Sequence, residues 1–245
     1  MIDVDAYLKR IGASREDSLP ELHRKHLLAV PFENLSIHLG EPIVLDPDLL
    51  FDKIVNRRRG GFCYELNGLF AQLLTALGHT VEYLAAAVYD SEKLGPPFDH
   101  LALRVDRTWL ADVGFGKHSV HPLRLDATGP QDDPGGVFAV EPASQGDVDV
   151  TRDGGRQYKL ELRARALADF APTCWWQQTS ADSDFTRRLT VTRLTHDGRV
   201  TFSDRRLIRT GPAGKTESVV DDDTLFLSTL REEFGIDLDR VPAVG

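Results

Sequence analysis

The sequence is poor in cysteine and in long apolar segments. Its 245 residues include only two cysteines, Cys63 and Cys174, and a distant pair does not make the disulfide framework of a small secreted protein. The N-terminal stretch MIDVDAYLKRIG lacks the basic and apolar regions of a signal peptide, and no apolar run approaches the length of a membrane-spanning helix. We therefore expect a cytoplasmic protein with no membrane partner.

An excess of positive charge is also missing. The chain has 29 Lys and Arg residues against 38 Asp and Glu residues, a net charge of −9. Because binding to nucleic-acid phosphates requires a basic surface, we expect no nucleic-acid partner. The contents of hydrophobic residues (41%) and charged residues (27%) are those of an ordinary globular protein, and the length suffices for one or two domains with a sizeable core.

The first third of the chain is predicted to be helical. One helix is expected to start at Ser18, with Glu21 completing a capping box, and a second is expected to start at Asp46. After Cys63, leucine and phenylalanine recur with helical spacing, and Gly78 is expected to end this third helix. The pattern places Cys63 at or just before the first turn of that helix.

Strands are predicted for the middle of the chain. HLALRVD and TWLADVGFG flank a short polar turn, and two further hairpins are predicted around Gly154 and Gly198, where Asp-Gly pairs favour tight turns. Segment 126–147 is rich in Gly, Pro and Asp and is predicted to be a loop. The stretch DDDTLFLSTLREEFGID is typical of a capped helix that ends at Gly235. This order of elements favours an α+β fold with a helical N-terminal region.

The stretch RRRGGFCYELNGLF, residues 57–70, is the first candidate for chemistry. A thiol at a helix start lies near unpaired N–H groups and the positive end of the helix dipole, which lower its pKa and make it nucleophilic. Gly60 and Gly61 allow positive φ angles and close approach of a substrate to the backbone. From local context alone, Cys63 is equally well explained as a small buried hydrophobic residue.

A histidine and an aspartate are candidates for the base that a nucleophilic cysteine needs and for the group that orients this base. His100 opens the first of two neighbouring predicted strands and Asp112 lies at the end of the second. If the turn between them has three residues, Val105 opposes Trp109, and His100 and Asp112 share one face of the sheet. A five-residue turn would put them directly opposite, whereas an even-length turn would separate them. Taken alone, the pair also fits a strand-edge histidine and a turn acid.

Four motifs support the enzymatic interpretation when they are taken together. They are VPFENLSIHLG at 30–40, RGGFCYELNGLF at 59–70, FDHLAL at 98–103 and WLADVGFG at 109–116. In this order and spacing the chain resembles the arylamine N-acetyltransferase family, whose most specific motifs are RGG-aromatic-Cys and DVGFG. The resemblance covers most of residues 1–120 and continues weakly through 180–193. Segment 170–180 and the short C-terminal tail depart from the family pattern.

The resemblance implies a fold and a mechanism. The implied fold has a helical bundle carrying the nucleophile at 1–82, a β-barrel carrying the base at 83–188 and an α/β lid at 189–245, around a core like that of cysteine proteases. The implied activity is ping-pong transfer of an acetyl group from acetyl-CoA, through a cysteine thioester, to an arylamine or arylhydrazine, with no metal ion. The implied Cys-His-Asp triad consists of Cys63, His100 and Asp112.

The same resemblance implies supporting and binding residues. Glu33 and Arg59 are expected to form an ion pair that braces the cysteine loop, although a basic run such as NRRR is more often solvated. Asn67 lies four residues after Cys63 on the same helix face and is expected to support the side chain of Asp112. The residues expected to contact substrate or cofactor are Phe32, Phe62, Gly114, Phe115 and Gly116.

Other functions remain open on the sequence. Amide synthases that look like this family use the same triad to join an enzyme-held polyketide chain to an arylamine. A thiol hydrolase would instead admit water to the acyl-enzyme, and a non-enzymatic binding module would have an unreactive Cys63. Cys174 has no catalytic companion and is expected to pack beside Trp175 and Trp176, either of which could line the acceptor site. HSVH at 118–121 has the spacing of metal ligands without a nearby acid or thiol, so a loop is expected there.

Overall fold

The computed structural model describes residues 2–243, which form helices and two antiparallel sheets. The α-helices are α1 (Val4–Ile11), α2 (Leu19–Ala29), α3 (Leu35–Leu39), α4 (Pro47–Phe51), α5 (Cys63–Ala76), α6 (Ala171–Thr179), α7 (Asp184–Arg187) and α8 (Asp223–Phe234). A π-helical turn (Asp52–Asn56) continues α4, and 3₁₀ turns lie at Ser144–Gly146 and Leu167–Phe170. In this range no helix has the length and apolar character needed to cross a bilayer.

The two sheets differ in size and in the parts of the chain they use. The strands are β1 (Phe32–Glu33), β2 (Val81–Asp90), β3 (Lys93–Leu94), β4 (His100–Val105), β5 (Trp109–Ala111), β6 (Leu123–Arg124), β7 (Gln131–Asp133), β8 (Gly136–Pro142), β9 (Val148–Arg152), β10 (Gly155–Arg165), β11 (Thr190–Thr195), β12 (Gly198–Ser203), β13 (Arg206–Gly211) and β14 (Gly214–Val219). The larger sheet is nearly closed into a barrel, in the order β6-β5-β4-β2-β10-β9-β8-β7, with β3 paired to β2. The smaller sheet has the order β1-β11-β12-β13-β14.

The predicted α+β fold is confirmed, with its helical N-terminal region, its barrel-like sheet and a C-terminal sheet and helix. Phe32 of β1 pairs with Thr192 of β11, so the N-terminal region contributes a strand to the C-terminal sheet. Helix α8 packs its apolar side onto the same sheet. The division of the chain into three units that end at residues 82 and 188 stays a prediction.

The predicted helix starts are present. Helix α2 begins after Ser18, whose backbone N–H donates to Glu21 Oε2 at 2.8 Å. Asp46 caps α4 by accepting from two N–H groups of its first turn at 3.0 and 3.1 Å. Helix α5 begins at Cys63, and its apolar stripe is buried in the largest core cluster, between the other N-terminal helices and the barrel. This central helix therefore holds its first residue against strand β4.

The loop predicted for 126–147 is wrong. Strands β7 and β8 form there and are joined by a tight turn at Pro134 and Gly135. Phe138 is fully buried whereas Val137 is exposed, an alternation typical of a half-buried strand. The many Gly, Pro and Asp residues around this short alternation favour a loop, so the sequence pattern does not indicate the strand. Strands β13 and β14 are also not predicted from the sequence. Strand β14 is exposed on both faces and therefore shows no apolar pattern.

Candidate active site

Cys63 is the first residue of α5 and is 3% exposed. Close packing fixes the loop before it: a Cβ atom on Gly60 would lie 1.9 Å from the carbonyl oxygen of Pro31, and one on Gly61 would lie 2.6 Å from Glu65 Oε2. Neither glycine has a positive φ angle. The two glycines therefore permit close approach of protein groups, and the positive φ angles that glycine allows are not used at either position.

The environment of the Cys63 thiol differs from the one predicted for a helix start. Burial raises the pKa of this thiol well above its usual value, and the backbone N–H of Leu101 offsets only part of the increase. Asp99, whose carbonyl oxygen lies 4.0 Å from Sγ, raises the pKa further through its negative charge. The prediction that the helix start by itself lowers this pKa is wrong, so a reactive thiolate here needs a neighbouring cation.

His100 and Asp112 meet on one face of the barrel sheet. Val105 pairs with Trp109, which confirms the three-residue turn and the matching parity of the two strands. His100 Nε2 lies 2.8 Å from Asp112 Oδ2, and both side chains are buried. Burial raises the pKa of Asp112, but the positive charge and the hydrogen bond of His100 outweigh burial and lower it overall. The carboxylate is therefore ionised beside the imidazole.

Asn67 joins α5 to the same carboxylate. Its Nδ2 donates to Asp112 Oδ1 at 2.9 Å and to the carbonyl oxygen of Leu101 at 2.6 Å, while its Oδ1 accepts from the N–H of Val113 at 2.9 Å. The N–H of Gly114 donates to the same Oδ1 of Asp112 at 3.0 Å. Both oxygens of the carboxylate thus have partners, which fix its orientation toward His100. This contact matches the support predicted for Asn67.

A buried ion-pair network lies behind the cysteine loop. Arg59 Nε donates to Glu33 Oε1 at 2.9 Å, the contact that the resemblance predicts, and Glu33 Oε2 accepts from the N–H of Leu35 at 2.7 Å. Lys53, which no motif indicated, donates to Glu65 Oε1 at 2.7 Å and lies 4.0 Å from Glu33. Burial raises the pKa of Glu33, but the charges of Arg59 and Lys53 outweigh it and lower the pKa overall. The cysteine loop is therefore held between two buried cation–carboxylate pairs.

A cavity of about 660 Å³ has both Cys63 and His100 in its wall. Helix α6 contributes Trp176 to this wall, whereas Trp175 is 66% exposed and points elsewhere. This cavity, called the catalytic cavity below, thus combines the candidate nucleophile and base with apolar surface for a ring-bearing ligand. The predicted contact residues that line it are Phe32, Gly114 and Phe115.

Two predicted contact residues lie outside the lining of this cavity. Phe62 is fully buried, and its ring packs edge-on against Tyr64 and Phe185 with centroid distances of 5.0 and 5.6 Å. Gly116 has a φ of +83°, and a Cβ atom there would contact the side chains of Phe32 and Thr192 at 3.5 Å. The structure therefore gives Phe62 a packing contact and puts Gly116 where the barrel loop meets the smaller sheet.

Carboxylates outnumber cations in the wall of the catalytic cavity. Gln177 of α6 holds Asp99 in place by donating to its Oδ1 at 2.6 Å, and Ser183 donates to Gln177 Oε1 at 2.5 Å. Burial raises the pKa of Asp99. The sequence segment that departs from the family pattern thus supplies part of this wall. The charged residues of the wall are Asp90, Asp99, Asp182, Asp184, Lys93 and Arg187.

A second cavity, of about 480 Å³, has the opposite charge and is called the basic cavity below. Arg199 Nη1 donates to Thr192 Oγ1 at 3.1 Å, and among residues 2–243 no carboxylate pairs with this guanidinium. Burial and the nearby charge of Arg152 lower the pKa of Arg199 to about 10. Such a cluster of cations is suited to an anionic ligand. The charged and histidine residues of the wall are Arg24, Lys117, His118, Arg152, His196, Asp197 and Arg199.

The two histidines of the HSVH motif contact different neighbours. His118 Nδ1 lies 3.2 Å from Ser119 Oγ, and His121 Nδ1 lies 3.0 Å from Asp133 Oδ2. In the part of the chain that the structure describes, no three His, Cys, Asp or Glu side chains are grouped so that they could hold a metal ion. The motif lies in irregular backbone between β5 and β6, as predicted for a loop.

One contact to Asp112 comes from a residue that no motif indicated. His23 of α2 is fully buried, and its Nε2 accepts from the backbone N–H of Asp112 at 3.1 Å. Its Nδ1 lies 2.9 Å from the carbonyl oxygen of Val120. These partners lie 89 and 97 residues along the chain from His23, so only the folded structure brings them together.

The site can be compared with known proteins. A family model described as N-acetyltransferase matches residues 17–243, nearly the whole chain. The arylamine N-acetyltransferase of Mycobacterium tuberculosis is 35% identical over 258 aligned positions, which cover 97% of this chain and 90% of the relative. This chain belongs to the arylamine N-acetyltransferase family. The Salmonella typhimurium arylamine N-acetyltransferase / N-hydroxyarylamine O-acetyltransferase is 31% identical and covers 94% of this chain and 86% of its own.

Solved structures of the family have the same fold. The Mycobacterium smegmatis arylamine N-acetyltransferase superimposes with a TM-score of 0.89 at 31% identity, covering 97% of this chain and 93% of the other. The Mycobacterium marinum arylamine N-acetyltransferase, solved in complex with CoA, gives a TM-score of 0.86 at 28% identity, covering 96% and 93%. The protein is therefore an enzyme of the arylamine N-acetyltransferase type.

Proposed function

We propose that this protein transfers an acetyl group from acetyl-CoA to an arylamine or arylhydrazine through a thioester on Cys63. The observation that carries the proposal is the shared cavity wall of Cys63 and His100, together with the hydrogen bond from His100 to the ionised Asp112. Membership of the family supports the reaction class, and the CoA complex of the Mycobacterium marinum relative supports the donor. The ion pair of Glu33 and Arg59 holds the cysteine loop, and Asn67 holds the carboxylate of Asp112.

The first half-reaction moves the acetyl group onto the thiol. His100 Nε2 faces Asp112, so Nδ1 is the ring nitrogen that takes the proton from Cys63 Sγ. Burial disfavours a lone thiolate, but a thiolate beside an imidazolium is a pair without net charge, and Asp112 stabilises its imidazolium. Sγ attacks the carbonyl carbon of acetyl-CoA, the bond from that carbon to the CoA sulfur breaks, and His100 returns the proton to the departing sulfur.

The second half-reaction releases the amide. The amine nitrogen attacks the acetyl carbon of the cysteine thioester, and His100 takes a proton from the nitrogen as the C–N bond forms. The bond from carbon to Sγ then breaks and regenerates Cys63. Exchange of one thioester for another costs little free energy, so the conversion of thioester to amide drives the overall reaction.

The oxyanion formed in both half-reactions needs backbone N–H donors. The N–H of Gly114 already donates to Asp112 Oδ1, so it is not available. The N–H of Cys63, at the unpaired start of α5, is the first donor in our proposal. The second is the N–H of Phe115, which follows Gly114 in the loop that lines the catalytic cavity.

The charges of the two cavities favour different ligands. Acetyl-CoA carries phosphate groups, which the carboxylates of the catalytic cavity repel and the cations of the basic cavity attract. We propose that the phosphates bind near Arg199 and Arg152 in the basic cavity, whose wall also includes Lys117 and His118 of the loop that lines the catalytic cavity. The amine would then bind in the catalytic cavity, whose wall has the carboxylates.

The proposal is tested by mixing the purified protein with acetyl-CoA and aniline. N-acetylaniline and free CoA should form in equal amounts, with parallel lines in double-reciprocal plots. Consumption of acetyl-CoA at the same rate without aniline would identify a hydrolase. Acylation by longer acyl thioesters but not by acetyl-CoA would favour an amide synthase. A protein that takes up no acyl group from any of these thioesters would overturn the proposal.

A further inference from the structure

Helix α2 contacts the loop of residues 112–120, called the catalytic loop below, through the side chain of His23. We infer that His23 is a positioning residue for the triad, because it fixes the backbone of Asp112 and of the loop that follows through two hydrogen bonds. The inference rests on the proposed function, since it concerns the same acyl-transfer site. His23 does not touch the reacting atoms; it acts through Asp112.

The two hydrogen bonds require one tautomer of the imidazole. A carbonyl oxygen can only accept, so Nδ1 must carry the proton that it donates to Val120 at 2.9 Å. A backbone N–H can only donate, so Nε2 must offer its lone pair to Asp112 at 3.1 Å. A protonated ring would turn an N–H toward the N–H of Asp112 and lose that bond. Burial lowers the pKa of His23, which keeps the ring neutral.

The two partners of His23 stand at the two ends of one functional segment. Residues 112–120 start with the catalytic carboxylate and then supply Gly114 and Phe115 to the catalytic cavity and Lys117 and His118 to the basic cavity. This segment contains no helix or strand after β5, so backbone pairing does not hold it. By binding both ends, His23 fixes the path of the loop and the direction from which Asp112 reaches His100.

His26 provides an internal comparison on the same helix. It lies one turn after His23, is also fully buried, and packs against Phe70 with a centroid distance of 5.1 Å. Neither of its ring nitrogens has a hydrogen-bond partner among residues 2–243. A buried histidine in α2 therefore need not bind the catalytic loop, and the role inferred for His23 depends on its two hydrogen bonds.

Two substitutions separate the two bonds. The amide group of an asparagine at position 23 reaches the place of His23 Nδ1, and that of a glutamine reaches the place of His23 Nε2. His23→Asn keeps a donor for Val120 and loses the acceptor for Asp112, whereas His23→Gln keeps an acceptor for Asp112. We expect His23→Asn to lower kcat about 100-fold, the scale of a displacement of about 1 Å at a reactive group, with KM for acetyl-CoA nearly unchanged. His23→Gln should recover at least about a tenth of the wild-type kcat, and His26→Asn should retain the wild-type kcat.

The second readout is the pH dependence of Cys63 alkylation by iodoacetamide, which needs no acyl donor. A displaced Asp112 stabilises the imidazolium of His100 less, so the midpoint should rise in His23→Asn and not in His23→Gln or His26→Asn. If kcat and midpoint stay at wild-type values in His23→Asn while its melting temperature falls as in His26→Asn, the role is structural and the inference fails. Equal losses in His23→Asn and His23→Gln would also overturn it. Absence of acyl transfer in the wild type would refute the proposed function alone, since alkylation still tests His23.

Discussion

The catalytic cavity and the basic cavity share the loop 112–120 but differ in charge and in chemistry. The first has the thiol of Cys63, the imidazole of His100 and four carboxylates in its wall, whereas the second has four Lys and Arg side chains and one carboxylate. In the proposed function, this difference lets one site handle two substrates of unlike charge. The anionic part of acetyl-CoA would bind away from the carboxylates around Cys63, and only its acetyl group would have to reach the thiol.

The largest effect should come from removing Cys63, the proposed nucleophile of the catalytic cavity. Acetyl-CoA without amine should add one acetyl group to the wild-type protein, and Cys63→Ala should abolish this addition, as measured by intact mass. Cys174→Ala is the matched control, because Cys174 is equally buried but has Gln178 as its polar neighbour and no histidine. An acetyl group found on Cys174 with Cys63 unmodified would remove the catalytic cavity from the mechanism.

The next largest effect concerns the carboxylate of Asp112. Asp112→Asn keeps the shape of the side chain but favours the wrong tautomer of His100, which in serine triads lowers turnover by about 10⁴. We expect a loss of this order in kcat with the fold retained by circular dichroism. Asp126→Asn, on the surface, should leave kcat unchanged. A loss of less than tenfold in Asp112→Asn would show that His100 does not depend on this carboxylate.

The third prediction concerns the sign of a pKa shift. Burial raises the pKa of Cys63, so only the positive charge on His100 can keep the thiolate present in mildly acidic solution. Iodoacetamide should alkylate Cys63 rapidly below pH 7 in the wild type, and His100→Gln should move the midpoint above the value of about 8.5 for free cysteine. Cys174, whose pKa burial raises to about 12, should stay unmodified in both proteins. An identical midpoint in the two proteins would disprove the ion pair.

The fourth prediction tests the basic cavity. Arg199→Gln removes a cation that has no carboxylate partner in the described part of the chain. Loss of a hydrogen bond to a charged group costs about 1.5–3 kcal/mol, so KM for acetyl-CoA should rise roughly 10- to 100-fold. S-acetyl-N-acetylcysteamine, a donor without phosphates, should react equally well with wild type and variant. Arg206→Gln, exposed on the same sheet, is the control. Equal losses with both donors would show that Arg199 does not bind phosphate.

More of the catalytic cavity than of the basic cavity could be predicted from the sequence. His100 and Asp112 are close in the sequence and lie in neighbouring strands, so strand parity gives their common face once the turn between the strands has three residues. Arg199 and Arg152 come from different sheets and meet only when the chain has folded. The expectation that the helix start by itself lowers the pKa of Cys63 failed for a similar reason, because the burial of this side chain depends on residues far along the chain.

The smallest effect on turnover should come from the ion pair of Glu33 and Arg59, which lies outside both cavities. Breaking a buried pair from one side costs about 3–5 kcal/mol, so Glu33→Gln should lower the melting temperature by roughly 10 °C. Because the pKa of Glu33 is lower in the folded state, the pair stabilises the protein at neutral pH and this contribution is lost as the pH falls through the folded-state pKa. The difference between wild type and variant should therefore shrink in acid. At a temperature where both are folded, kcat should change less than for any triad variant; a loss as large as that of Asp112→Asn would place the pair among the determinants of turnover.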